Sequence, residues 1–166
     1  MANFTVVYDA CVLYPAPLRD LIMYLALTDL YSAKWPDDIH NEWIRNVLKD
    51  RPDLKKEQLV RTRDLMDENI RDCLVDDYHS IIPTLNLPDE NDRHILAVAI
   101  RSAASIIVTY NLKDFPKEDL DQYTVEALHP DNFVMHLIDL NPGIVCSYVK
   151  SIERALRTLL FQLKDI

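Results

Sequence analysis

Two short runs of apolar and β-branched residues, Phe4-Thr5-Val6-Val7-Tyr8 and Ser105-Ile106-Ile107-Val108-Thr109, constrain the fold more than any other feature of the chain. Neither alternates between apolar and polar positions, so both suit strands buried on two faces inside a parallel sheet. Parallel neighbours must be joined by crossovers, and the intervening sequence carries helical spacing several times over. Within residues 18–31 the apolar positions include Leu18, Leu21, Ile22, Leu25 and Leu30 at helical spacing. Pro36-Asp37 opens a second helix with Ile39, Trp43, Ile44, Val47 and Leu48 on one side. A third, rich in charge, is predicted between Leu54 and Ile70, and a fourth, almost wholly apolar, follows Leu87-Pro88-Asp89 and runs through residues 95–100. Shorter strands are predicted at residues 32–35, 73–75 and 124–127. This alternation predicts the α/β class, with a central parallel sheet covered by helices on both faces.

Beyond His129 the strand signals stop. Pro130-Asp131 starts one helix and Asn141-Pro142 a longer one, with Val145, Tyr148, Val149, Ile152, Leu156, Leu159 and Leu160 at helical spacing. The expected organisation is a core over residues 1–128 followed by a helical C-terminal extension over residues 129–166.

Composition removes several functional classes. The single glycine, Gly143, leaves no material for a glycine-rich phosphate loop, which excludes P-loop and dinucleotide-binding readings. No apolar stretch approaches the ~20 residues of a membrane span, and the start MANFTVVYDA lacks a signal-peptide pattern, so a cytoplasmic location away from membranes is expected. Cys11, Cys73 and Cys146 are odd in number, widely spaced and set among apolar neighbours, and are read as free buried thiols. The net charge of -9 opposes non-specific adhesion to nucleic acid. That objection weakens if many of the carboxylates share one pocket and are neutralised there by bound cations.

The placement of four acids favours such a pocket. Ligands of open parallel sheets gather at the carboxyl ends of the strands. Asp9 directly follows the first run, and Asp114 lies in the loop after Val108, three residues beyond Asn111. Asp92 falls in the first turn of the helix that feeds the second run, and Glu42 one turn into the helix after the short second strand. If these termini share an edge, four carboxylates meet. Without a cation they repel one another and their pKa values rise, so a cluster of this kind points to a divalent metal. An oxygen-only donor set suits Mg²⁺ or Mn²⁺, whereas His40, His79, His94, His129 and His136 are too scattered for zinc.

Each acid taken alone has a plainer explanation. Asp89 and Asp92 suit helix caps, Glu42 a solvated helix position and Asp114 a turn. Asp9 resists this, because a charge after five strand residues is costly unless it faces a cleft or a partner. Arg19, Arg45, Arg93 and Lys113 are candidate phosphate contacts, though any of them also suits an ordinary surface.

Four segments carry a family resemblance: Tyr8-Asp9-Ala10-Cys11-Val12-Leu13, Asn41-Glu42-Trp43, Asp89-Glu90-Asn91-Asp92-Arg93-His94-Ile95-Leu96-Ala97, and Val108-Thr109-Tyr110-Asn111-Leu112-Lys113-Asp114-Phe115. In order and spacing they resemble the successive acidic motifs of PIN domains, and in particular those of VapC-type toxins. The resemblance implies an α/β/α sandwich, dependence on Mg²⁺ or Mn²⁺, and hydrolysis of RNA phosphodiesters, with structured RNA such as tRNA as substrate and a cognate antitoxin as partner. Asp9, Glu42, Asp92 and Asp114 become the acidic, metal-holding set, and Asn111 and Asp89 its supporting residues. Whether the chain pairs with a second copy is left open.

Two rivals remain. An aspartyl-phosphate phosphatase also begins with a strand-terminal aspartate, but it wants another two residues later, where Cys11 stands. A catalytically inactive acidic module of the same fold, acting only through protein binding, fits the net charge equally well.

Overall fold

The structure is a computed structural model and describes residues 4–164. Four short strands, β1 (Thr5–Tyr8), β2 (Ser32–Lys34), β3 (Ile106–Val108) and β4 (Glu126–Leu128), form one sheet in the order β2-β1-β3-β4. All neighbours are parallel, with Val6 opposite Ile106, Val7 opposite Ile107 and Tyr8 opposite Val108. The helices are α1 (Ala10–Leu13), α2 (Ala16–Ala26), α3 (Asp37–Asp50), α4 (Lys56–Asn69), α5 (Arg93–Arg101), α6 (Lys117–Leu120), α7 (Pro130–Leu140) and α8 (Pro142–Lys164). Among the described residues no helix is long and apolar enough to cross a membrane.

The chain starts in the middle of the sheet. From β1 it moves outward to β2 through α1 and α2, and after α3, α4 and α5 it returns to β3 on the opposite flank of β1. It then moves outward again, through α6, to β4. The two central strands therefore send their connections in opposite directions, which opens a crevice at their carboxyl ends.

Burial explains why segments this short form strands at all. Val6, Val7, Tyr8, Ile107 and Val108 are fully inaccessible, and so is the run of α5 from Ile95 to Ala99. Removing these chains from water stabilises the fold by roughly 1.5–3 kcal/mol for each large side chain.

Several boundaries differ from the sequence expectation for identifiable reasons. The helix expected over residues 18–31 stops at Ala26, and Asp29 takes a left-handed backbone, φ 60°. Tyr31 is thereby released into the core, where its hydroxyl donates to the Ile22 carbonyl at 3.1 Å and accepts from the Tyr8 hydroxyl at 2.5 Å. The strand expected at residues 73–75 is a single bridge between Trp35 and Leu74. β4 begins at Glu126 because Thr124 is left-handed, φ 57°. The thiols are free as expected, but Cys146 is exposed and Cys11 half-buried, leaving only Cys73 buried.

Helix α3 is locked in place by a chain of polar contacts beneath it. Trp43 Nε1 donates to His40 Nδ1 at 3.0 Å, so the histidine carries its proton on Nε2 and donates to Asp67 Oδ1 at 2.8 Å. Trp35 Nε1 donates to the same oxygen at 2.9 Å. Arg19, a candidate phosphate contact in the sequence, is instead a core residue. Its Nη1 donates to the Leu13 carbonyl at 2.7 Å and its guanidinium carbon stands 4.6 Å from the centre of the Trp43 ring. It is only 7% exposed, a placement its spacing along the chain gave no means of foreseeing.

Residues 130–164 form the two helices α7 and α8, separated at Asn141. The Phe133 ring of α7 meets Tyr31 edge-on at 5.1 Å and Tyr8 at 6.3 Å, and Leu137 and Val145 are fully buried beside it. In α8 the side chains of Leu156, Leu159 and Leu160 lie outside the described residues. Because Phe133 fills space against β1, Phe133→Ala is expected to lower unfolding free energy by about 3–5 kcal/mol in a urea titration. A loss below about 1 kcal/mol would show that α7 docks weakly.

Candidate active site at the carboxyl ends of the central strands

Asp9 stands where β1 ends. Its backbone N–H continues the sheet by donating to the Val108 carbonyl at 3.1 Å, and its extended backbone hands the chain to α1. The side chain is only 5% exposed. Its Oδ2 accepts from the Thr109 hydroxyl at 2.8 Å and from the Cys11 thiol at 3.4 Å. Burial pushes the Asp9 carboxyl above the usual carboxylate range, the Thr109 and Cys11 hydrogen bonds pull it back in part, and the charge of Glu42 raises it further.

The other acids arrive from separate elements. Glu42 sits half-buried on α3, Asp92 closes the 3₁₀ turn Glu90–Asp92 ahead of α5, and Asp114 closes the turn Leu112–Asp114 after β3. Burial raises Asp92 to about 6, assisted by the charges of Asp9, Asp89 and Asp114. Glu42 acts on Asp9, and Asp9, Asp89 and Asp114 act on Asp92, so the structure does bring the acids into one electrostatic neighbourhood. Among the described residues, however, no group of three or more His, Cys, Asp or Glu side chains is arranged to hold a metal ion. The carboxylates are close enough to repel one another without closing into a chelate.

The supporting candidates divide. Asp89 is exposed and caps the turn before α5, its Oδ1 accepting from Asn91 N–H at 2.9 Å. Asn111 is exposed, and its backbone N–H donates to Thr109 Oγ1 at 3.0 Å. Arg45 and Lys113 are exposed, while Arg93 leans on Glu90 with its Nε donating to the Glu90 carbonyl at 3.3 Å.

Two residues of the site were not singled out from the sequence. Thr109, fully buried, links Asp9 to Asn111, and its place one residue past an apolar run was the available signal. His94 Nε2 lies 3.7 Å from Glu42 Oε2, and its position two residues after Asp92 was the hint. Burial alone would lower the His94 imidazole, but the Glu42 carboxylate, the Asn91 backbone and Asp9 outweigh it and leave it above its ordinary value. Cys11 is no nucleophile here, since burial and the neighbouring Asp9 push its thiol up to about 12.

Fold and site together define an α/β protein with an acidic cleft at the switch point of a parallel sheet. The chain belongs to the PIN-domain family, whose model matches residues 5–113, more than half of its length. Over 63 residues it is 46% identical to a Mycobacterium tuberculosis protein named "Putative ribonuclease VapC50". That likeness covers 38% of this chain and 37% of the relative, so the chain matches well under half of that protein's length. No solved structure matches the chain.

The raised carboxyl of Asp92 has a signed consequence. The folded state takes up this proton more readily than the unfolded chain, whose carboxyl titrates near ~3.9. The stabilisation is therefore complete below about pH 4 and is lost as pH climbs through about 6. Without added metal, melting between pH 5 and pH 7.5 is expected to show a larger fall for the wild type than for Asp92→Asn. Identical falls would remove Asp92 from the cluster.

Proposed function

We propose that this protein is a metal-dependent endoribonuclease hydrolysing RNA phosphodiester bonds, and the toxin of a type II toxin–antitoxin pair. The observation that carries the reading is the buried, strand-terminal Asp9, held by Thr109 and surrounded by acids from three other parts of the chain. Membership of the PIN-domain family and the likeness to a VapC-named protein support it.

The donor set suits a hard cation. Asp9, Glu42, Asp92 and Asp114 offer oxygen alone, and burial with mutual repulsion leaves Asp9 and Asp92 short of positive charge. Bound there, Mg²⁺ or Mn²⁺ supplies Lewis acidity toward the phosphodiester and toward the attacking water. Thr109 holds the Asp9 carboxylate in one orientation through its Oγ1, and accepting from Asn111 N–H fixes that hydroxyl in turn. His94 steadies Glu42 from the first turn of α5. Asp89, on the rim, adds negative charge at Asp92. Arg45, Arg93 and Lys113 are the cations left to meet phosphate, Arg19 being committed to the core. The organisation into a nuclease core over residues 1–128 and an extension over 129–166, a cytoplasmic location and a basic antitoxin that covers the acidic surface complete the reading.

Cleavage of RNA by the purified protein in Mn²⁺ tests it. Asp9→Asn is expected to reduce cleavage by at least about 100-fold, beyond the ~10–100-fold typical of residues that only support a ligand. The same substitution should leave the fold as stable or more stable without metal. Wild-type protein should also melt higher in millimolar Mn²⁺, by the ~2.7 kcal/mol that a hundredfold excess over Kd confers. Absence of both cleavage and a melting shift would favour the inactive, protein-binding module. Thr109→Val keeps the shape and removes the hydroxyl, and is expected to weaken Mn²⁺ affinity by about 10–100-fold. Unaltered affinity would mean Asp9 needs no such support.

A further inference from the structure

Next to the buried Thr109 the chain exposes a large aromatic ring. Tyr110 follows the fully buried Val108 and Thr109 and is itself 43% exposed, although folding rewards hiding such a ring. It is held from two sides. Its backbone N–H donates to Cys11 Sγ at 3.4 Å, and Cys11 in turn donates to Asp9. Its ring meets the imidazole of His129 edge-on, with centroids 5.1 Å apart and planes at 82°. His129 is oriented as well, because its Nδ1 accepts from Asp131 N–H and caps α7.

The residues that follow extend the exposed strip. Asn111, Leu112 (40% exposed) and Lys113 present an amide, an aliphatic chain and a cation before Asp114 turns back toward the acids. An open aromatic face with a nearby cation suits a nucleobase and its phosphate. Stacking is also a contact that a protein of net charge -9 can use where Coulomb attraction to RNA fails.

We propose that Tyr110 is a substrate-binding residue on which one unpaired nucleobase of the RNA stacks. This rests on the nuclease reading above. Bases inside a helix already stack on one another and present no free face, so the ring discriminates by accessibility rather than by sequence. The His129 imidazole stands nearly perpendicular to the ring, so it covers at most one of the two Tyr110 faces.

The test uses the full chain and a single-stranded oligoribonucleotide carrying 2-aminopurine, whose fluorescence is quenched by stacking, first in EDTA and then in Mn²⁺. Wild type and Tyr110→Phe are expected to quench alike and to bind within about twofold of each other. Tyr110→Leu, which keeps apolar bulk, should lose the quench and bind about 5- to 150-fold more weakly, the span covered by loss of one base–aromatic stack. In Mn²⁺ the same variant should cleave with raised KM, little change in kcat and an unchanged Mn²⁺ melting shift. A fully complementary duplex should be bound equally by all three proteins. Equal quenching and affinity for Tyr110→Leu and wild type overturn the stacking role while active cleavage leaves the nuclease reading standing. A wild type that neither binds nor cleaves the RNA overturns both.

Discussion

The lateral pairing of β1 with β3 is the constraint on which the rest of the molecule depends. It places Asp9 and Thr109, a hundred positions apart, within 2.8 Å of each other. Strands of four and three residues offer few backbone hydrogen bonds, and a parallel pair must first close a long loop. What holds them is complete exclusion of water from Val6, Val7, Tyr8, Ile107 and Val108, with α5 packed against both strands. The Tyr8, Tyr31 and Phe133 rings extend that core into α7, so the helical segment after the sheet contributes to the strand that bears Asp9.

The same pairing creates the electrostatic problem at its end. The β1–β3 junction drives Asp9 out of water while the turns before α5 and after β3 deliver further carboxylates to it. Hydrogen bonds from Thr109 and Cys11 offset only part of the burial, and Asp92 is left near 6. A fold selected for stability alone would not assemble acids this way, so the surrounding apolar packing maintains an arrangement that costs free energy. Among the described residues no three of the acids are arranged to hold a metal ion.

Positive charge is sparse around this cleft. Arg19, in the first half of α2, is drawn into the core over Trp43, and Arg93 is engaged by Glu90. The proposed recognition of RNA by so acidic a molecule relies on a few cations and on uncharged contacts, among them the exposed ring of Tyr110.

The sequence by itself determined the class of fold, the approximate position of each major helix and the buried environment of the two central strands, because non-alternating apolar runs and helical periodicity are local properties. It also marked Asp9, Glu42, Asp92 and Asp114, because each follows or precedes an element whose end is visible in the pattern. Local pattern failed wherever a single backbone angle or a distant partner decided the outcome. Left-handed Asp29 ended α2 early and Thr124 delayed β4, and neither residue type compels that conformation. The fate of Arg19, the bridge role of Thr109 and the approach of His94 to Glu42 were settled only by tertiary structure. Burial and charge–charge distance are set by which elements pack together, and residues far apart in the chain become neighbours only once the parallel sheet has closed.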